Sequence, residues 1–373
     1  MSQAKLKKLG LTLPPLPTST VGSFPKPDYL VEARARFARK EISQKELEAL
    51  ERKATEFWVA QQEAIGLDVL VDGEQYRGDM VAYFAEVMPG FQMGGLVRSY
   101  GNRYYRKPII TGKIQWPGPM TVKWWKFAQG LTSKPIKGML TGPYTIMDWS
   151  FNDFYPDRKS ACFALAQVIR KEVETLVEAG AKVIQIDEPA LSVRPEELPF
   201  AIEAMRTVTD GMPAYFITHI CYGAFEFIYP GMLRFPVDNF DLEMSNSGLD
   251  LIALFKKHPF NKDLSFGVLD VHSHVVETPE LVRGRIEKAL QVIPKEALWV
   301  DPDCGLKTRT VEEAQGKLRS MVAAVREVRQ ALDKAPKGKR RRIEVGSVVK
   351  KRRKKIRKHK YKKMRRRMRH KKK

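Results

Sequence analysis

Eight short stretches rich in apolar and β-branched residues recur along the chain, at 19–24, 68–72, 136–140, 182–186, 214–218, 239–243, 265–269 and 298–300. Between most of them lie segments with helical periodicity, at 44–65, 161–178, 196–207, 279–292 and 311–332. Strands covered on both faces read as short continuous apolar runs, and helices packed over them show a single apolar stripe. The alternation predicts an α/β chain folded as a (β/α)8 TIM barrel, with a doubly wound parallel sheet as the alternative. Residues 90–122 break the pattern. They are rich in Gly, Tyr and Pro, with β-type residues around 98–105 and 109–114, and read as a β insertion after the second strand. In barrels such insertions shape the substrate mouth.

Composition agrees with one large domain: 373 residues with 43% hydrophobic content can bury a full-sized core. The net charge of +23 changes the picture only at one end. Residues 337–373 hold 23 Lys and Arg against one acid, Glu344, leaving 43 basic and 42 acidic residues in the body. A near-neutral domain over 12–335 therefore precedes a cationic tail over 336–373, expected to be disordered or helical only on a polyanion. No run approaches the ~18 apolar residues that span a bilayer, and the first residues are polar and basic. A cytoplasmic protein with no membrane partner is expected. Three cysteines, Cys162, Cys221 and Cys304, argue against a disulfide framework.

The chemistry collects at the strand ends. Just past the runs stand Ser23, Glu74, Asp187, His219 with Cys221, Glu243, His272 and Cys304. A barrel builds its active site from different strands at this C-terminal face. His219 and Cys221 are two residues apart, so on an extended chain both side chains point the same way. Glu243 follows the next strand and Cys304 ends the last one, and the four make a tetrahedral zinc set of two thiolates, an imidazole and a carboxylate. The oxygen ligand is the easiest of the four to displace, and a substrate thiol that takes its place loses its proton. That chemistry suits alkyl transfer to sulfur better than hydrolysis. Glu74 and Asp187 could hold an ammonium group, and His272 is a candidate general acid.

The chain resembles the C-terminal catalytic barrel of cobalamin-independent methionine synthase over about 13–331. The resemblance is carried by Thr20-Val21-Gly22-Ser23-Phe24-Pro25, Gln185-Ile186-Asp187-Glu188-Pro189, Thr218-His219-Ile220-Cys221-Tyr222 and Asp301-Pro302-Asp303-Cys304-Gly305-Leu306-Lys307-Thr308-Arg309. It implies His219, Cys221, Glu243 and Cys304 as zinc ligands and His272 as the proton donor. It implies Val21, Gly22, Ser23, Glu74 and Asp187 as the site for L-homocysteine, the thiol methylated to methionine. Arg103, Tyr104 and Trp149 fall on methyl-donor positions, while Val193 replaces an acidic folate contact. Full-length family members carry a second, N-terminal barrel, so the chain is similar to the short "core" members. The donor implied is methyltetrahydrofolate or a methylated corrinoid protein. The alternatives are alkyl transfer to another thiol such as coenzyme M, or a ribosome- or RNA-associated protein.

The tail, from about 345 to 373, resembles the basic small-subunit ribosomal proteins related to the C-terminal segment of Aurora kinase A-interacting protein. That likeness implies ribosomal RNA or another nucleic acid as a partner, bound through phosphate neutralisation.

Overall fold

The structure, a computed structural model, describes residues 2–98, 104–221, 225–245 and 251–334. Arg103 and the whole cationic tail, 336–373, lie outside the described residues. The chain divides into two compact units, Met1–Gln330 and Ala331–Lys373.

In the first unit six parallel strands run side by side. They are β3 (Gly138–Thr141), β5 (Val183–Asp187), β6 (Tyr215–Ile220), β7 (Asn239–Leu242), β8 (Asp263–Gly267) and β9 (Leu298–Asp301). Two further staves close the ring through single parallel bridges, Thr18 to Val300 and Leu70 to Ile136. Backbone bonds from the Asp68 and Val69 N–H groups to the Thr18 carbonyl join these two staves to each other. The result is the eight-staved (β/α)8 barrel.

The expected and observed strands differ where polar residues are buried. The seventh run, expected at 265–269, is β8, which begins two residues earlier at Asp263. Asp263 is buried and accepts the Tyr215 hydroxyl at 2.7 Å, so a charged residue occupies an interior position that hydropathy assigns to a loop. The first stave is shorter than the expected 19–24, because beyond Ser19 the chain turns across the mouth.

Helices α1 (Ser2–Lys8), α2 (Asp28–Ala38), α3 (Gln44–Ile65), α4 (Ala82–Val87), α5 (Val122–Gln129) and α6 (Pro143–Asp148) come from the first half. Helices α7 (Arg158–Glu178), α8 (Leu198–Thr209), α9 (Leu251–Lys257), α10 (Pro279–Ala289) and α11 (Val311–Lys334) follow them. Local chemistry fixes their ends. Ser43 and Glu46 form a reciprocal capping box before α3, and Gly66 ends it in a left-handed conformation at φ 96°. Thr310 and Glu313 form the same box before α11. The helix α1 was not anticipated. Its Leu6 is fully buried with Leu11, Val69, Val183, Tyr215, Ile217 and Trp299, where it plugs the barrel base. Lys5 anchors it to Asp238 at 2.6 Å.

The insertion is an antiparallel pair, β1 (Phe91–Arg98) and β2 (Tyr104–Ile110), extended by the two-residue β4 (Phe151–Asn152). The strands fall earlier than the expected 98–105 and 109–114. Gly94 and Gly95, poor strand formers, sit at a bulge where a Cβ on Gly94 would come within 2.7 Å of the Lys107 carbonyl. Buried Glu172 of α7 anchors the return segment, accepting the Thr121 N–H at 2.7 Å and hydroxyl at 2.8 Å.

Candidate metal centre and substrate site

Strand register builds the centre. In the β6–β7 pairing His219 stands opposite Asp241, and His219 Nδ1 lies 3.3 Å from Asp241 Oδ1. Cys221 follows β6 immediately and Cys304 follows β9 by three residues. The ligand atoms of His219, Cys221 and Cys304 all lie within 4.8 Å of one another, so the structure brings these three together. Glu243 follows β7 directly, buried, and its charge helps push up the Cys221 thiol. It stands beside the group rather than within that mutual distance.

The three groups shift one another's proton affinities. Cys304 is held well below the ordinary thiol range by the Cys221 thiol first and then by His219, against the effect of burial. Cys221 is pushed up by bonding to Cys304 and by burial. Burial works against a charged His219, yet Asp241 and Cys304 together raise it well above the ordinary imidazole value. Neither buried ring nitrogen of His219 makes a well-formed hydrogen bond. A buried imidazole without a firm partner, facing two thiols, is a donor set that fits a soft-to-borderline divalent cation such as zinc.

Asp241 and Asp303 escaped sequence reasoning. Asp241 Oδ1 lies 3.3 Å from His219 Nδ1, on the side where an outer carboxylate stands behind a metal-binding imidazole. The signal was present in the parity of Asn239, Asp241 and Glu243, which alternate toward the barrel interior. Asp303, fully buried, accepts the Met244 and Ser245 N–H groups at 3.1 and 3.0 Å and also the Ser245 hydroxyl. It thereby fastens the residues after Glu243 to those before Cys304. Its own N–H donates to the Leu269 carbonyl at 3.0 Å.

The expected substrate residues converge beside this group. Gln185 donates to Asp187 Oδ1 at 2.8 Å and to the Val21 carbonyl at 2.7 Å, and itself accepts from the buried Lys137. A Cβ on Gly22 would meet Glu74 Oε1 at 3.2 Å, and one on Gly305 would strike Ser23 Oγ at 2.1 Å. Val21, Gly22 and Ser23 are thus packed between Glu74 and the Cys304 loop. Glu74 has an unusual φ of 54°, held by a bond from its N–H to Asp72 Oδ1 and an ion pair with buried Arg77 at 3.2 Å. Burial pushes Asp187 up to about 7, with nearby Glu74 and Asp241 adding to the effect while His219 and Gln185 oppose it. Its neighbour Glu188 has a different task. It accepts the Tyr144 and Thr145 N–H groups and the Thr145 hydroxyl, capping the start of α6.

His272 is exposed on the segment after β8, and Trp149, half-buried, ends α6. Tyr104 opens β2, and Val193 is exposed after the 189–192 turn.

A TIM barrel with a thiol–imidazole group at its mouth defines the class. The family described as the catalytic domain of cobalamin-independent synthase matches residues 16–327, and the chain belongs to it. It is 38% identical over 343 residues to a 5-methyltetrahydropteroyltriglutamate–homocysteine methyltransferase of Corynebacterium glutamicum, covering 89% of this chain and 46% of that protein. The chain thus spans about half the length of such relatives. It is 40% identical to a methionine synthase of Saccharolobus solfataricus, covering 86% of this chain and 97% of the relative. A B12-independent methionine synthase from Shewanella sp. W3-18-1, solved with selenomethionine, superimposes at TM-score 0.77 with 27% identity, covering 85% of this chain and 99% of that one.

Proposed function

We propose that the chain transfers a methyl group to the sulfur of L-homocysteine, forming methionine, from a methyltetrahydrofolate-type donor. The observation that carries this reading is the meeting of His219, Cys221 and Cys304 within 4.8 Å at the barrel mouth. Zn2+ would be held by these three with Glu243 as the fourth, displaceable ligand. When bound, the ion supplies a Lewis acid that lets a substrate thiol react as its thiolate at neutral pH.

The remaining work falls to the chain's own side chains. Glu74 and Asp187 pair with the ammonium group of the amino acid, which coenzyme M lacks. Val21, Gly22 and Ser23 form the close wall against which the substrate lies. As the new S–C bond forms and the donor's C–N bond breaks, His272 gives a proton to the departing nitrogen. By their family-matched sequence positions Arg103, Tyr104 and Trp149 would serve the methyl donor, and the names of the relatives support a pteroylglutamate there.

The test is direct. Purified protein with homocysteine is offered methyltetrahydrofolate or methylcobalamin in separate reactions, with coenzyme M as a competing thiol. Methionine should form with the folate and homocysteine should compete better than coenzyme M. Methionine from neither donor, or an equal preference for the two thiols, overturns the reading.

A second reading concerns residues 337–373, whose 23 Lys and Arg against Glu344 favour binding to ribosomal RNA or another polyanion. In this account the barrel through 335 is the cytoplasmic enzyme and the tail an accessory. Co-sedimentation with ribosomes at low salt, lost when 337–373 are deleted, is expected. Unchanged sedimentation in the deletion refutes it. Among the described residues no helix is long and apolar enough to cross a membrane.

A further inference from the structure

The segment that carries His272 is fastened to α11 by a fully buried lysine. Lys317 Nζ donates to the Asp270 carbonyl at 3.0 Å, to the Val275 carbonyl, and to Glu277 Oε2 at 2.8 Å. Glu277 Oε1 accepts the Asp270 N–H at 2.7 Å, and the Glu277 carbonyl accepts the Ser320 hydroxyl. Asp270 in turn accepts the His272 N–H on Oδ1 at 2.8 Å. All three N–H bonds of the ammonium group therefore act on one eight-residue span, 270–277, at both of its ends. Around them, Arg285 donates to the Val268 carbonyl at 2.6 Å and stands 3.8 Å from Glu277 Oε1. Gly316 lets Val276 close onto α11, since a Cβ there would lie 3.3 Å from the valine methyl.

Lysine is almost never fully buried, and an ion pair in the interior is commonly no more stabilising than apolar side chains of the same volume. Stability alone is thus a poor reason for this pair. What it does supply is geometry: a fixed position for a segment whose outward residues are exposed. Proton transfer depends on such positioning, because displacing a reacting group by about 1 Å can cost ~100-fold in rate.

We infer that the buried Lys317–Glu277 pair is a positioning device for His272, setting where its imidazole stands at the mouth. The inference rests on the reading of His272 as proton donor. The experiment compares Lys317→Met, Glu277→Gln and Lys317→Arg in the full-length, zinc-loaded chain, each alone and combined with His272→Asn. Lys317→Met is expected to lower kcat roughly 10- to 100-fold with KM for homocysteine and zinc content unchanged. It should speed amide exchange across 270–277 and leave 215–221 as in the parent. Lys317→Arg, which keeps the charge and donors, should restore part of kcat. On the His272→Asn background Lys317→Met should cost no further rate.

A full multiplicative loss on that background overturns the inference, as does unaltered exchange across 270–277. If Lys317→Met does not fold, Glu277→Gln decides by the same readings, since it keeps hydrogen-bonding capacity. Full activity of His272→Asn alone sinks the proton-donor reading, and the positioning role with it. Loss in His272→Asn with none in Lys317→Met sinks only the positioning role.

Discussion

Asp187 and Glu188 are adjacent carboxyls, both buried and both pushed up to about 7 by desolvation, yet one is enclosed by donors and the other faces the site. For Asp187 the native state prefers the neutral acid. Its contribution to stability is complete below the ordinary value of 3.8 and is lost as pH rises through about 7. Asp187→Asn, which keeps an acceptor for Gln185, should therefore stabilise the fold increasingly from pH 5 to 8. A gain on the order of 1–4 kcal/mol is expected at the upper end, while KM for homocysteine rises. Denaturant titrations at the two pH values check this, and a pH-independent difference contradicts it. Cys304→Ser should lose both zinc and activity. Stoichiometric zinc in that variant means that Cys304 is not a ligand. At this scale the sequence was readable where residue type is rare: a His two before a Cys, or a Cys after an acidic turn, stands out. Asp241 and Asp303 did not, because an acid inside or beside an apolar run reads as a break in the pattern rather than as a support for a neighbour.

Elements were legible where short-range chemistry sets their ends. The helix expected at 44–65 is α3 to the residue, since Ser43, Glu46 and Gly66 mark both of its limits. β8 and the insertion were shifted, because a buried Asp263 and the Gly94–Gly95 bulge are tolerated only through partners distant in sequence. The short α6 shows the same dependence. Its first turn is capped by Glu188, the residue after β5, and Gly142 leaves room for that carboxylate, which a Cβ would meet at 2.1 Å. Glu188→Ala should orphan the Tyr144 and Thr145 donors and cost about 1–3 kcal/mol. A fall in Tm with zinc content retained is the expected result, whereas loss of zinc with unchanged Tm points to a role in the site instead.

For the whole molecule, strand count alone led to the barrel, because eight alternating units leave few other closed arrangements. The plug at its base was invisible: α1 is polar and basic apart from Leu6 and reads as a loose end. Leu6→Ala, emptying a site lined by Val69, Tyr215 and Trp299, should cost about 2–5 kcal/mol without altering metal content, as thermal melts of the loaded protein would show. At the opposite face, Asp303 ties three strand-end loops into one piece, reaching the segment after Glu243, the carbonyl of Leu269 and the turn that bears Cys304. Anyone redesigning this site for a chosen cation or nucleophile inherits that linkage. Randomising one loop at a time will disturb the others, so productive libraries must vary the three together or hold Asp303 and Ser245 constant.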